Sequence, residues 1–178
     1  GREQYMPHSI ETKSKNLKKI IVVGAGPSGL EAARVCSERG HEVIVFEASD
    51  KPGGQINLIT RSPKRKDMIG IIDWRLYSCE KNNVKINYSS FASKNDVLSE
   101  KPDIVIIATG GVPNNQIIEE GSDLVFSSWD IISGNINIED DVILYDDNGY
   151  FSGLQAAQII SEKASSLEII SPERFFSP

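Results

Sequence analysis

The sequence predicts an α/β protein built on a parallel sheet with helices on its faces, followed by an incomplete second α/β unit. Three observations carry that expectation. Short β-branched apolar runs at residues 20–23, 43–46, 104–107, 142–145 and 167–170 alternate with helix-patterned segments. A glycine-rich turn, Gly24-Ala25-Gly26-Pro27-Ser28-Gly29, joins the first run to the first helical segment. A later echo repeats the arrangement, since GLEAARV at 29–35 and GLQAAQI at 153–159 each follow an apolar run.

Each element has its own reason. Residues 1–19 are polar, lack the apolar core of a signal peptide and do not begin with Met, so they read as a linker entering a piece of a larger protein. The runs 20–23, 43–46 and 104–107 are nearly continuous, as parallel strands covered on both faces should be. Between the first two, residues 30–40 form a helix with a small inner face (Ala32, Ala33, Cys36) and Gly40 in the C′ position. Ile69, Ile72, Leu76 and Cys79 recur at helical spacing and make 67–81 amphipathic. Val84, Ile86 and Tyr88 alternate with Lys85 and Asn87, which suits an edge strand. A short helix at 127–132, strands at 142–145 and 167–170 and a helix at 151–163 complete the pattern. The expected sheet order is 84–88, 43–46, 20–23, 104–108, and the expected division is 1–18 linker, 19–111 first domain, 112–178 partial second domain.

Composition removes several classes. With 178 residues, 39% hydrophobic and 25% charged, the chain holds one domain, or one and part of another. Its apolar runs fall far short of the roughly 20 residues of a membrane helix. A net charge of −6 argues against a nucleic-acid partner, and the basic stretches at 13–19 and 61–66 read as solvated loop charge. Cys36 and Cys79 form neither a disulfide framework nor a zinc site, so a reducing, cytoplasmic compartment is expected. His41 reads as a surface turn residue, and Trp74 and Trp129 as core or interdomain packing residues. There is no Ser/His/Asp or Cys/His constellation, and no catalytic residue is assigned.

The chemistry lies in the glycines. The turn sits between a strand and a helix, and the next strand ends in Glu47, 18 residues beyond Gly29 (47 − 29). That is a full dinucleotide fingerprint: Gly24 for the tight turn, Gly26 for backbone approach to a pyrophosphate, Gly29 for close helix–strand packing. The helix N-terminus offers free N–H groups to phosphate, and Glu47 offers an acceptor to the ribose hydroxyls while disfavouring a 2′-phosphate. Lys51-Pro52-Gly53-Gly54-Gln55 and Ala108-Thr109-Gly110-Gly111-Val112-Pro113 lie at the carboxyl ends of strands, where open α/β sheets bind ligands. Together these motifs resemble the FAD-binding, three-layer Rossmann-like domain of flavoproteins with two dinucleotide-binding domains.

Adding GREQ at the start, GGQINL, ATGGVP and SSWDIISG at 127–134, the chain resembles the C-terminal half of the trimethylamine dehydrogenase and 2,4-dienoyl-CoA reductase family over nearly its whole length. The resemblance implies FAD, or ADP in its place, held by Gly24, Gly26, Pro27, Ser28 and Gly29, by Glu47 and Ala48, by Gly54 and Gln55, by Thr109 and Gly110, and by backbone near Phe91 and Ala92. It also implies an FMN-bearing barrel and a 4Fe-4S cluster outside this chain, to which neither cysteine corresponds. At the second strand-turn-helix, aligning Gly153 with Gly29 sets Asn148 opposite Gly24 and Tyr150 opposite Gly26, with Asp146 and Asp147 nearby. A dinucleotide cradle is not expected there. The family's amine demethylase and dehydrogenase branch then fits, with a small-molecule amine substrate, an electron-transferring flavoprotein as acceptor and a homo-oligomeric full-length protein. The alternatives are an NAD(P)H-dependent reductase of the 2,4-dienoyl-CoA type and a non-catalytic domain holding ADP structurally.

Overall fold

The computed structural model describes residues 13–114, 120–147 and 149–173. GREQ, Asn148 and the closing RFFSP lie outside them. Two compact units are present: the described residues to Asn57 with Asp67–Gly110, and Leu58–Lys66 with the described residues from Gly111 onward. Segment 58–66, which the sequence reading leaves in the first domain, is therefore part of the second unit.

In the first unit, β1 (Lys19–Val23), β2 (Glu42–Phe46), β3 (Lys85–Asn87) and β4 (Ile104–Ile107) form a parallel sheet in the order β3-β2-β1-β4. This is the expected order. Ile21 stands opposite Ile44 on one side and Val105 on the other, and Ile21, Val22 and Val45 are fully buried. The strands are continuous apolar runs because helices cover both faces of their centre. α1 (Pro27–Glu38) and, beyond the short α2 (Ile56–Ile59) in sequence, α3 (Gly70–Lys81) supply Leu30, Ala33, Ile72 and Cys79 to the core, while Val97 of α4 (Lys94–Ser99) packs with Ile21, Ile44 and Phe46. α1 and α3 are joined by Arg75 Nε to Glu31 Oε2 at 2.9 Å and by the Cys79 thiol donating to the Leu30 carbonyl at 3.5 Å. The Arg34 guanidinium, and then that of Arg75, holds the Glu31 carboxyl below the usual range.

Several expectations are corrected. α1 begins three residues earlier than expected, because Gly26 is its N-cap and Pro27 supplies the preset φ of a first helical residue. α3 begins at Gly70, after a 3₁₀ stretch at Pro63–Ile69. Of the two packing roles expected for Trp74, core or interdomain, the core role does not hold, since the ring is half exposed with the Arg34 guanidinium 5.0 Å from its centroid. Lys19 is no solvated loop charge, since it starts β1 and its ammonium donates to Glu100 at 2.7 Å. β4 is not covered on both faces: Ile104, Val105 and Ile107 are exposed. α4 was not expected, although its capping box, Ser93 with Asp96 three residues on, is a sequence cue. His41 is a turn residue whose Nδ1 accepts from the Lys18 N–H at 3.2 Å.

Cys36 and Cys79 are free thiols. Burial pushes the Cys79 thiol up to about 11 and that of Cys36 up as well. The thiolate is the reactive form. Cys79 should therefore react with a maleimide at pH 8 only after denaturation, and equal rates with and without denaturant would contradict its placement under α1.

The second unit contains α5 (Ser128–Ser133), β5 (Asp141–Tyr145), α6 (Phe151–Ser161) and β6 (Ser166–Ile170). β5 and β6 pair in parallel, and Ala156 and Ile160 pack on Val142, Leu144 and Leu167 with Ile138. On the opposite face, Ile143 and Tyr145 are exposed, against the expectation of strands covered on both faces. Arg61 and Arg65 are not solvated loop charges. Arg61 Nη1 donates to the Ile132 and Ser133 carbonyls at the end of α5, and the Arg65 guanidinium lies 3.7 Å from the Phe151 ring centroid. Among the described residues, no helix is long and apolar enough to cross a membrane.

Candidate dinucleotide site

The site is assembled from backbone at the carboxyl ends of β1, β2 and β4. β1 runs into Gly24, whose φ of +105° lies in the region that favours glycine and whose N–H donates to the Phe46 carbonyl at 2.7 Å. A Cβ added there would stand 2.4 Å from the Ala108 carbonyl oxygen. The end of β4 thus presses against the turn, and Gly24 is required twice. Gly29, one turn into α1, is required once more: its added Cβ would lie 1.9 Å from the Gly24 carbonyl oxygen. Gly26 differs from both. Its backbone is extended (φ −71°, ψ 179°), and an added Cβ would meet no atom within 4 Å. Nothing in the fold demands a glycine at 26, so the open space before it is where a ligand's pyrophosphate would come close to backbone.

The neighbouring loops close around that space. The Gly53 N–H donates to the Ala25 carbonyl at 2.9 Å, and a Cβ at Gly54 would stand 3.4 Å from Gly26 Cα. A Cβ at Gly110 would be 3.9 Å from Gln55 Nε2. The GAGPSG, PGGQ and ATG motifs, separated in sequence by tens of residues, therefore converge. Pro27 and Ser28 open α1, with Ser28 exposed, so that the N–H groups of the first turn face the same space. Thr109 and Gly110 are exposed beside it.

Glu47 directly follows β2 and is buried. Its Oε2 accepts from the Ala25 N–H at 2.6 Å and its Oε1 from the Ser49 N–H at 2.8 Å. The carboxylate thus holds the glycine turn in shape besides offering its remaining lone pairs to a ribose, a structural duty that sequence spacing did not disclose. Ala48 is exposed next to it. The stretch after β3 runs alongside, with the Ser90 N–H donating to the Glu47 carbonyl at 2.8 Å and the Ser89 N–H to the Ser49 carbonyl at 2.8 Å. Ala92 packs against the core, whereas Phe91 projects into solvent.

The corresponding turn of the second unit is built otherwise. Five residues, 146–150, separate β5 from α6, whereas three, 24–26, separate β1 from α1. Tyr150 is the N-cap of α6, as Gly26 is of α1, and its side chain is exposed. At the strand end it is Asp146 that stands against the helix: a Cβ added at Gly153 would lie 2.9 Å from the Asp146 carboxylate, as one at Gly29 meets Gly24. Asp146 is buried and Oδ1 accepts from the Gly149 N–H at 3.2 Å. A buried carboxylate and a tyrosine thus occupy positions that glycines hold in the first unit, and the two-residue longer loop shifts the expected correspondence with Gly24 from Asn148 to Asp146.

Comparison with known proteins agrees with this architecture. The family described as an NAD(P)-binding Rossmann-like domain matches residues 22–73. A probable N-methylproline demethylase of Rhizobium meliloti is 49% identical over 178 residues, all of this chain and 26% of that protein. An N,N-dimethylglycine/sarcosine dehydrogenase of Chromohalobacter salexigens is 38% identical over 94% of this chain and 25% of its own length. Among solved structures, a 2-naphthoyl-CoA reductase in complex with 2-naphthoyl-CoA superposes with a TM-score of 0.78 at 32% identity, over 95% of this chain and 25% of that one. The chain spans about a quarter of the length of these relatives. With its glycine turn, its convergent loops and these likenesses, the chain is a Rossmann-like dinucleotide-binding region similar to part of these oxidoreductases.

Proposed function

We propose that the first unit holds the ADP moiety of FAD, or ADP itself, across the carboxyl ends of β1, β2 and β4, within a longer enzyme that oxidises N-methylated amines. The observation that carries the reading is the open backbone at Gly26, ringed by Gly54, Gln55 and Gly110 and faced by the first turn of α1. The first-turn N–H groups and the positive end of the helix would receive the pyrophosphate. Glu47 would accept from the ribose hydroxyls, and its charge would repel a 2′-phosphate. Bound FAD would supply electron transfer; ADP would serve as structure alone. The identity to a demethylase and a dehydrogenase of N-methylated amino acids supports the amine substrate. FMN and a 4Fe-4S cluster would lie in parts of the longer protein outside this chain, with an electron-transferring flavoprotein as acceptor.

A second reading, NAD(P)H-dependent reduction of an unsaturated thioester, is favoured by the likeness to the naphthoyl-CoA reductase. Against it stand Asp146 and Tyr150 at the second turn.

Glu47→Ala should weaken ADP binding to the full-length protein by one to two decades, because charge-assisted hydrogen bonds contribute roughly 1.5 to 3 kcal/mol. It should also raise amide exchange at Ala25, whose N–H loses its acceptor. Calorimetric titration with ADP checks the first effect and hydrogen exchange the second; wild-type values in both would remove Glu47 from the site.

A further inference from the structure

The loop from Pro52 to Asn57 folds back on itself. Gly53 and Gly54 have φ of +120° and +52°, two left-handed residues in succession. Glycine permits that conformation but does not select it, because a pair of glycines reaches many others as readily. Something else must hold the turn, and the Asn57 side chain is placed to do so. Its Nδ2 donates to the Pro52 carbonyl at 2.9 Å, which closes the loop across residues five apart. The same amide fills the space beside Gly53, where an added Cβ would stand 2.7 Å from Oδ1, 2.8 Å from Nδ2 and 2.9 Å from Cγ. Gly53 is therefore glycine both for its φ and to admit the amide. Backbone bonds continue the hold, with the Ile56 N–H donating to the Gly53 carbonyl at 3.1 Å and the Asn57 N–H to the Gly54 carbonyl at 3.2 Å. Ile56 is buried, so α2 starts from a fixed point.

The turn so held is the one that meets the glycines of the nucleotide site. The Gly53 N–H reaches the Ala25 carbonyl at 2.9 Å, and a Cβ at Gly54 would lie 3.4 Å from Gly26 Cα. Gly54 is exposed and Asn57 half-buried, so the glycine faces the open space while the amide supports it from within.

We infer that Asn57 is a positioning residue of the dinucleotide site, whose side-chain amide sets the Pro52-Gly53-Gly54 turn beside Gly26 before nucleotide arrives. This role rests on the proposed reading of the Gly24–Gly29 turn as the ADP site. Chemistry fixes the residue type. The Pro52 carbonyl needs a donor, and the side chain must stay neutral near a pyrophosphate. Aspartate has the same shape, but when ionised it only accepts, so it would turn lone pairs toward the carbonyl and add like charge near the ligand. Asn57 acts through the backbone of Gly53 and Gly54. Without it the loop must be ordered at the moment of binding, and affinity falls by that cost.

The test uses the full-length protein, stripped of nucleotide and titrated with ADP well below its melting temperature. Asn57→Ala should bind ADP about three- to tenfold more weakly, the effect of one lost neutral hydrogen bond, and Asn57→Asp at least as weakly. A bond that served stability alone would lower the melting temperature of the nucleotide-free variants and leave their ADP affinity at the wild-type value, a result that would overturn the proposal. Wild-type affinity in Asn57→Asp alone would overturn it too, since shape without a donor would then suffice. Amide exchange in the nucleotide-free wild type provides a check that needs no variant. The Gly53 N–H, bonded to Ala25, should already be protected; exchange at the rate of an open loop, slowed only by ADP, would mean that the ligand forms the turn and would also overturn the role of Asn57. A wild type that binds no ADP would remove the ADP reading and this role with it, whereas normal wild-type binding with unaltered affinity in both variants would remove the role of Asn57 alone.

Discussion

Gly29→Ala and Gly26→Ala should fail in opposite ways. At Gly29 the new methyl would stand 1.9 Å from the Gly24 carbonyl oxygen, and backbone cannot swing aside as a flexible side chain can. Either α1 lifts from β1 or the turn distorts, at a cost of about 3 kcal/mol or more, a large part of a typical domain's ~5 to 15 kcal/mol stability. At Gly26 the φ and ψ suit any residue and the methyl meets no protein atom. With nucleotide removed from both proteins, Gly26→Ala should therefore melt within a few degrees of the wild type. The methyl would occupy the ligand's side of the turn, so nucleotide binding should be abolished. Thermal unfolding and ADP titration of both variants separate the two roles. A Gly29→Ala protein of wild-type stability would contradict the packing described for α1, and a Gly26→Ala protein of wild-type affinity would contradict the site.

Neither NADH nor NADPH should reduce the flavin of the full-length protein at a useful rate. The second unit keeps what a Rossmann-like fold needs for packing, with Ala156 and Ala157 buried against the β5–β6 pair. It lacks what a phosphate needs. The buried Asp146 carboxylate stands where the first unit has Gly24, and the Tyr150 side chain stands where Gly26 leaves open backbone. Like charge and lost access both oppose a pyrophosphate. Stopped-flow mixing of the oxidised flavoprotein with each nicotinamide should leave the visible flavin band intact over seconds, while an N-methylated amino acid bleaches it. Rapid bleaching by either nicotinamide would reverse the choice between demethylase and reductase.

The first unit was largely legible because local pattern and global fold agree there. Three of its four strands are β-branched runs and the edge strand alternates, and the roles of Gly24, Gly26 and Gly29 follow from spacing that any strand-turn-helix must obey. Contacts between distant segments were not legible. The Ala25 N–H to Glu47 bond joins residues 22 apart, and no periodicity announces it. The basic stretch at 61–66 read as solvated because charge alone cannot reveal that Arg61 caps the end of a helix more than seventy residues away. The exposed β4 and β5 side chains show the limit of a rule equating continuous apolar runs with burial on both faces. At the second turn, aligning from the helix alone hid the two-residue longer loop that brings Asp146 against Gly153.

The account rests most heavily on adenine dinucleotide or ADP at the Gly24–Gly29 turn, and extraction of nucleotide from purified full-length protein tests it directly. Mass spectrometry of the released material, quantified per chain, should find one FAD or ADP in the wild type and none in folded Gly26→Ala. A wild-type protein without adenine nucleotide, or a Gly26→Ala protein that retains it, would contradict the account.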